Sequence, residues 1–188
     1  MSTFQAESTF QVKGSSIASK LAYISEVGGE AAEGEARLFL KESGITTVLE
    51  ATWYPYEIYD SFLAWIAQRH FGGDLSRLEN VGRFSAQKAL TTTYAAFARV
   101  GDFARFLEKM PVLHKRYYSH GKLIPSLLLP GATHCEILLE GAPVYGEPDL
   151  YIAAGFYRRA AEMMGFSNVR CTFKKDARRV RFKLDWQA

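Results

Sequence analysis

The sequence predicts an α+β fold in which an N-terminal helical half packs on a C-terminal antiparallel sheet. Up to about residue 120, apolar side chains recur at helical spacing, and glycines separate the stretches. Beyond that point, apolar and polar residues alternate in several short runs, as expected of strands with one buried face. One helical stretch interrupts these runs, so the order of the second half is strand, strand, helix, strand, strand. Helices followed by strands indicate an α+β domain rather than alternating βαβ units.

The length of 188 residues fits a single domain over 1–188, and the apolar fraction of 48% is enough to bury a sizeable core. We expect residues 1–14 to form an arm or an edge strand, 15–120 the helical half and 121–188 the sheet half. No apolar run approaches the roughly 18 residues of a membrane span. The N-terminus also lacks the pattern of a signal peptide. With two cysteines, Cys135 and Cys171, and no Cys-x-x-Cys pair, a reduced cytoplasmic compartment without membrane attachment is the simplest interpretation.

Glycines and a proline set the limits of the first three predicted helices. The first begins at a capping serine and ends at Gly28-Gly29, and the second, a short one, ends at Gly44. Pro55 suits the first position of the third helix, because its missing N–H would have no partner there anyway. That helix runs to about Phe71, where Gly72-Gly73 closes it.

Two further helices complete the helical half. Asp74 or Ser76 can cap a long helix that continues to Phe97. The chain restarts as a helix at Gly101-Asp102, and apolar residues at helical spacing then form one face. That face is made of Phe103, Phe106, Leu107 and Met110.

The second half contains four predicted strands. The run Leu123–Leu129 is short and apolar, and Thr133–Glu140 alternates with period two. After a loop over 141–148, Asp149 caps the one helix of this half. A turn at Asp176-Ala177 joins the last two strands, and the final strand has an outward charged face, which predicts that one face of the sheet is solvated. Its charged residues are Arg179, Arg181, Lys183 and Asp185.

Short motifs punctuate both halves. In the helical half they are Trp53-Tyr54-Pro55, Phe71-Gly72-Gly73, Val81-Gly82, Ser85-Ala86 and the helix from Phe106 to His114. In the sheet half they are Gly155, Gly165 and the closing Phe182-Lys183-Leu184-Asp185-Trp186. With the order of elements, these motifs resemble a superfamily that unites the heme–nitric-oxide-binding domains with the four-vinyl-reductase domains. The resemblance spans most of the chain and is nearest to the uncharacterised bacterial relatives in that superfamily.

The resemblance implies a domain that senses a ligand for a signalling partner, and by analogy a homodimer. It places His114 where heme sensors carry the histidine that binds the iron. Those sensors also carry a Tyr-x-Ser-x-Arg motif that grips the heme propionates, whereas the corresponding region 138–145 has no such motif. An arginine there is hard to replace, since its planar guanidinium pairs with a carboxylate through two hydrogen bonds. We therefore expect no resident cofactor, with heme bound by His114 as the alternative.

The four-vinyl-reductase domains carry clustered cysteines near the C-terminus, and this chain has only Cys171 there. A metal site is therefore not expected. His134 and Cys135 are neighbours on a predicted strand and point to opposite faces, so they cannot form a direct catalytic pair. Phosphate-binding loops, nucleophile elbows and zinc-protease motifs are missing from the sequence. We expect a binding protein rather than an enzyme.

The predicted ligand site lies between the two halves, behind the loop over 141–148. An apolar face with a histidine and several tyrosines can wall a pocket for a small, largely apolar ligand. The predicted site residues are His114, Phe106, Met110, Tyr117, Tyr145, Tyr151 and Tyr157. The structural alternative is that the tyrosines are half-buried packing residues and that His114 is a helix histidine bonded to a carbonyl group.

The C-terminal end is basic, with nine basic and three acidic residues from Arg158 onward. A solvated sheet edge explains these charges better than nucleic-acid binding, because no recognition helix or stacking motif is interleaved with them. The leading hypothesis is thus a non-enzymatic sensory domain that binds a small apolar ligand. A protein-interaction module without a ligand, which would use the basic hairpin, and a heme-binding gas sensor that uses His114 are the alternatives.

Overall fold

The structure, a computed structural model, describes residues 10–141 and 144–187. The helical half contains β1 (Gln11–Lys13), α1 (Gly14–Glu42), β2 (Trp53–Pro55), α2 (Tyr56–Phe71), α3 (Leu78–Thr91) and α4 (Phe103–Tyr117). The sheet half contains β3 (Lys122–Pro125), β4 (His134–Glu140), α5 (Glu147–Met163), β5 (Ser167–Lys175) and β6 (Arg179–Gln187). The predicted α+β fold, with its strand–strand–helix–strand–strand order, is confirmed.

Two features near the start of the chain differ from the prediction. Gly29 has a φ of 73°, outside the helical region, but the residues before and after it are helical. It therefore kinks α1 instead of ending it. Pro55 does not occupy the first turn of α2. It ends β2, which pairs antiparallel with β1 through Val12 opposite Tyr54. The part of the predicted arm that the structure describes is therefore a strand, and residues 1–9 lie outside the described ranges.

The helix predicted to reach Phe97 ends at Thr91 as α3. The hydroxyl groups of Thr91 and Thr92 donate hydrogen bonds of 2.7 Å to backbone carbonyls four residues earlier. Side-chain bonds of this kind compete with the helical backbone, and three consecutive threonines lower helix propensity further. A short 3-10 turn at Ala95–Phe97 follows.

The main sheet has the strand order β3-β4-β6-β5, and all its pairs are antiparallel. Cys135 lies opposite Leu184 and Ile137 opposite Phe182, so alternate residues of β4 and β6 share one buried face. The other face carries the charged residues of β6 and is exposed, as predicted.

Helices α3 and α5 cross in direct backbone contact, and this crossing joins the two halves. A Cβ atom at Gly82 would overlap the carbonyl oxygen of Ile152, and one at Gly155 would overlap that of Glu79. Glycine at both positions therefore permits the close approach. The buried apolar residues of the helices and of the inner sheet face belong to one core cluster. Within the described ranges, no helix combines the length and hydropathy needed to cross a bilayer.

Candidate functional site

A cavity of about 220 Å³ lies between the helical half and the sheet half. Three helices of the first half, α1, α3 and α4, and two elements of the second, β3 and α5, supply its wall. The apolar part of the wall consists of Phe106, Met110, Leu113, Leu123, Ile152 and Phe156. The polar part contains serines and Lys20 from α1, with Ser85 and Lys88 from α3. The cavity therefore lies at the seam where the sequence predicts a ligand pocket.

Helix α4 directs one continuous face into this cavity. Phe106, Met110, Leu113, His114 and Tyr117 all line it, at the i, i+4, i+7, i+8 and i+11 spacing of a helical stripe. The stripe places His114 among buried apolar neighbours, and the residue is only 8% exposed.

His114 is held by two partners from the chain that follows it. Its Nε2 atom lies 3.0 Å from the carbonyl oxygen of His120 and 3.0 Å from the hydroxyl of Tyr145. Tyr145 donates its own hydrogen bond of 2.7 Å to the same carbonyl, so the Nε2–H of His114 is the donor toward both oxygens. Burial lowers the pKa of His114 to about 4, which keeps the imidazole neutral at pH 7.

Gly121 passes beside this histidine with a φ of 83°. A Cβ atom there would lie 2.5 Å from the Tyr145 hydroxyl and 3.1 Å from Nε2 of His114. Only glycine fits both the backbone conformation and the space, so the chain turns tightly around the histidine.

A buried carboxylate, Asp149, lies next to this group. Tyr118 stacks on the His114 ring, with 5.0 Å between centroids, and donates a hydrogen bond of 2.9 Å to Asp149. Tyr56 donates a second bond, of 3.1 Å, to the other carboxylate oxygen. Burial raises the pKa of Asp149 to about 6, and the tyrosine hydrogen bonds oppose that rise.

The prediction that Asp149 caps α5 is wrong. The helix begins at Glu147, and Asp149 lies within its first turn, 2% exposed. Its acceptor oxygens are occupied by tyrosines from α2 and from the end of α4 rather than by the backbone N–H groups of α5.

At another part of the wall, Lys20 of α1 is buried, with 4% of its surface exposed. Its Nζ donates a hydrogen bond of 3.2 Å to the hydroxyl of Ser85, and Ser19 lies 2.8 Å from the same hydroxyl. Burial lowers the pKa of Lys20 to about 8, while the negative charge of Asp149 opposes the shift. Sequence reasoning overlooked Lys20, although the residue shares a helical face with Ile17 and Ile24.

The structure brings five of the seven predicted site residues to the cavity wall: Phe106, Met110, His114, Tyr117 and Tyr157. Tyr145 is not on the wall but behind it, where it holds His114. Its backbone carbonyl accepts a 2.6 Å bond from Lys175, which ties this part of the predicted loop to β5. Tyr151 lies elsewhere, with its ring 4.9 Å from that of Phe173. Ala142 and Pro143 of the predicted loop lie outside the described residues.

Both cysteines are free and buried. Burial raises the pKa of Cys135 to about 12 and that of Cys171 further, so neither thiol is a nucleophile near neutral pH. Among the described residues, no group of three or more histidine, cysteine, aspartate or glutamate side chains could hold a metal ion.

Neither a protein-family model nor a curated protein matches the sequence. Solved structures do match. An H-NOX protein from S. oneidensis in its Fe(II)NO state has a TM-score of 0.71 and 14% identity, over 94% of this chain and 99% of that one. A point mutant of an H-NOX protein from K. algicida, in its Fe(II) unliganded state, has a TM-score of 0.67 and 11% identity, over 94% and 97% of the two chains. The chain therefore has the fold of the heme–nitric-oxide-binding domains.

The expectation of no resident cofactor is wrong. The two H-NOX structures are described in Fe(II) states, and a third structure that shares the fold is described in terms of heme redox potential and porphyrin distortion. These neighbours point to heme as the cofactor. The absence of one propionate-binding motif from region 138–145 is therefore not enough to exclude heme.

Proposed function

We propose that this chain is a non-enzymatic sensory domain that binds heme in the cavity between its two halves, with His114 as the iron ligand. The observation that carries the proposal is a neutral, buried imidazole on the wall of a largely apolar cavity at that seam. A neutral imidazole is the form that ligates heme iron.

The residues of the wall fit such a group chemically. The apolar stripe of α4 suits the porphyrin ring, and Lys20 is a buried cation on the wall that can face a propionate. Nε2 of His114 now donates to Tyr145 and His120, so ligation must exchange these two hydrogen bonds for an iron bond. When bound, heme iron supplies a coordination position for a diatomic gas.

The cavity is smaller than heme, so binding of heme would change the conformation of the protein. Ligand pockets usually measure ~300–1,000 Å³, and this cavity has about 220 Å³. A ligand as large as heme must therefore widen the seam between the halves. A widened seam is a second conformation that the ligand favours and that a partner can recognise.

The test is a titration of the purified chain with hemin, followed by its Soret absorption. Wild type should bind hemin, and His114→Ala should lose the spectrum of an imidazole-ligated heme. Added free imidazole should restore that spectrum in the variant, which separates lost ligation from lost folding. His134→Ala is the matched control, because His134 is exposed at the start of β4.

Two outcomes of this titration contradict the proposal. One is a wild-type chain that shows no Soret band with hemin. The other is a His114→Ala spectrum identical to that of wild type, which would mean that hemin binds elsewhere on the surface.

A smaller apolar ligand is the second candidate, and the volume of the cavity favours it. Such a ligand can occupy about 220 Å³ without disturbing the bonds of His114. Retention of a small molecule other than heme by protein purified from its own host, detected by native mass spectrometry, would select this candidate.

Finer assignments are part of the same proposal. We infer kinship with the four-vinyl-reductase domains, nearest to the uncharacterised bacterial relatives in that superfamily. We also infer a cytoplasmic location, a single domain over 1–188, a homodimer and a signalling protein as partner. The exposed basic residues of the last hairpin, such as Arg179 and Arg181, are a candidate contact surface for that partner. Self-association through these charges would weaken in salt above ~0.1 M.

A further inference from the structure

Lys20 is a lysine on the inside of the protein. It lies on the face of α1 that also carries the fully buried Ile17 and Ile24, and it lines the cavity. Enclosing an ammonium group is costly unless partners compensate for its lost water. The partners that the protein provides for Lys20 therefore indicate whether a ligand group is needed to complete its interactions.

The protein supplies only part of what the ammonium requires. Within the described ranges, its three N–H groups have one hydrogen-bond acceptor, Ser85, and the nitrogen lies 5.9 Å from the centre of the Tyr59 ring. Among the described residues, no carboxylate lies within 4.0 Å of it. The carboxylate of Asp149 attracts the Lys20 ammonium from beyond hydrogen-bond distance. The hydrogen bonds that Asp149 accepts come from Tyr56 and Tyr118 instead. N–H donors of Lys20 thus remain for a group inside the cavity.

Ser85 fixes the amine in place. Its hydroxyl donates a hydrogen bond of 2.9 Å to the carbonyl oxygen of Val81 and accepts one from the ammonium of Lys20. Ser19, 2.8 Å away, also lines the cavity and adds a hydroxyl beside the amine. The cavity therefore has a cationic, hydroxyl-bearing corner at Lys20 and a largely apolar wall, whose other charged side chains are Glu50 and Lys88, both exposed. This arrangement suits a ligand with an apolar body and an anionic end.

We propose that Lys20, held by Ser85, binds a carboxylate of the ligand in the cavity. The inference rests on the proposed function, since it requires a ligand at that seam. A carboxylate presents acceptors only, and its hydrogen bonds from an ammonium are charge-assisted. The carboxylate can belong to a heme propionate or to a small apolar acid, and both sources share this chemistry.

The test compares each acid with a neutral counterpart. Hemin is paired with hemin dimethyl ester, and octanoate with 1-octanol. Each is titrated into wild type and Lys20→Met by absorption or calorimetry. Wild type should bind the acid roughly ten- to a hundred-fold more tightly than its neutral counterpart, and Lys20→Met should erase that difference. A preference within the hemin pair identifies the propionate as the source, and one within the octanoate pair identifies a small acid.

Lys88→Met is the matched control, because Lys88 lines the same cavity but is exposed. This variant should keep the preference for the acid, and an equal loss in it would overturn the assignment to Lys20. Equal binding of acid and neutral probes by wild type would overturn the inference while leaving the proposed function intact. Failure of all four probes to bind wild type would refute the proposed function and the inference together.

Discussion

The two polar parts of the cavity region differ in how fully the protein satisfies them. Around His114, every named group bonds to another side chain or to the backbone, from Tyr145 and His120 to Tyr118 and Asp149. The buried ammonium of Lys20 donates a hydrogen bond to Ser85, and among the described residues its other N–H groups have no acceptor.

The first group stabilises the folded protein, whereas Lys20 has donors that a ligand can use. A ligand at His114 must compete with hydrogen bonds that already hold the two halves together. A ligand at Lys20 adds interactions that the protein alone does not make. We therefore expect Asp149 and the tyrosines of the first group to govern folding, and Lys20 to govern the preference for a carboxylate on the ligand.

The largest expected effect is that of Asp149→Ala on stability. The variant removes the acceptor for the hydroxyls of Tyr56 and Tyr118, and a buried donor without a partner is costly. The free energy of unfolding should fall by about 3 kcal/mol, measured by urea denaturation. Asp149→Asn keeps an acceptor oxygen and should lose much less. Equal losses in the two variants would show that the tyrosine bonds do not matter.

A smaller effect should appear in the pH dependence of stability. The folded state raises the pKa of Asp149 from 3.8 to about 6, so on acidification the folded protein takes up a proton before the unfolded chain does. This residue's contribution to stability should therefore rise by about 1 kcal/mol from pH 7 to pH 5. Urea denaturation of Asp149→Asn at both pH values should show wild type gaining that amount over the variant. Parallel pH profiles would contradict the shift.

The smallest expected effect on stability is that of Lys20→Met. The substitution replaces a buried ammonium by an apolar side chain of similar length, a change that is often neutral or stabilising. The free energy of unfolding should stay within about 1 kcal/mol of the wild-type value, or rise. A loss as large as that of Asp149→Ala would make Lys20 a structural residue and remove the contrast between the two groups.

Local patterns predicted the fold well because each of them acts within one element. The alternation along β4 and β6 predicts which residues face the core, and the stripe of α4 brings Phe106, Met110 and His114 to the same wall. The glycines at 72 and 165 end or follow helices where the sequence places them, since both adopt positive φ.

The polar network could not be predicted in this way, because its members are far apart in sequence. Tyr56 is 93 residues from Asp149 and meets it only after α2 and α5 pack together. An aspartate near a helix start is interpreted as a cap whenever such distant donors are unknown. Proximity in the chain groups Tyr151 with Tyr157, yet a separation of six residues along a helix places them on different sides.

Native mass spectrometry of the chain purified from its own host tests the central claim most directly. The cavity should hold a ligand in wild type, and Ala89→Phe, which fills it from α3, should exclude that ligand. We predict a heme mass retained by wild type and absent from the variant. A wild-type mass without any ligand, or the same ligand retained by both proteins, would contradict a binding site at the seam.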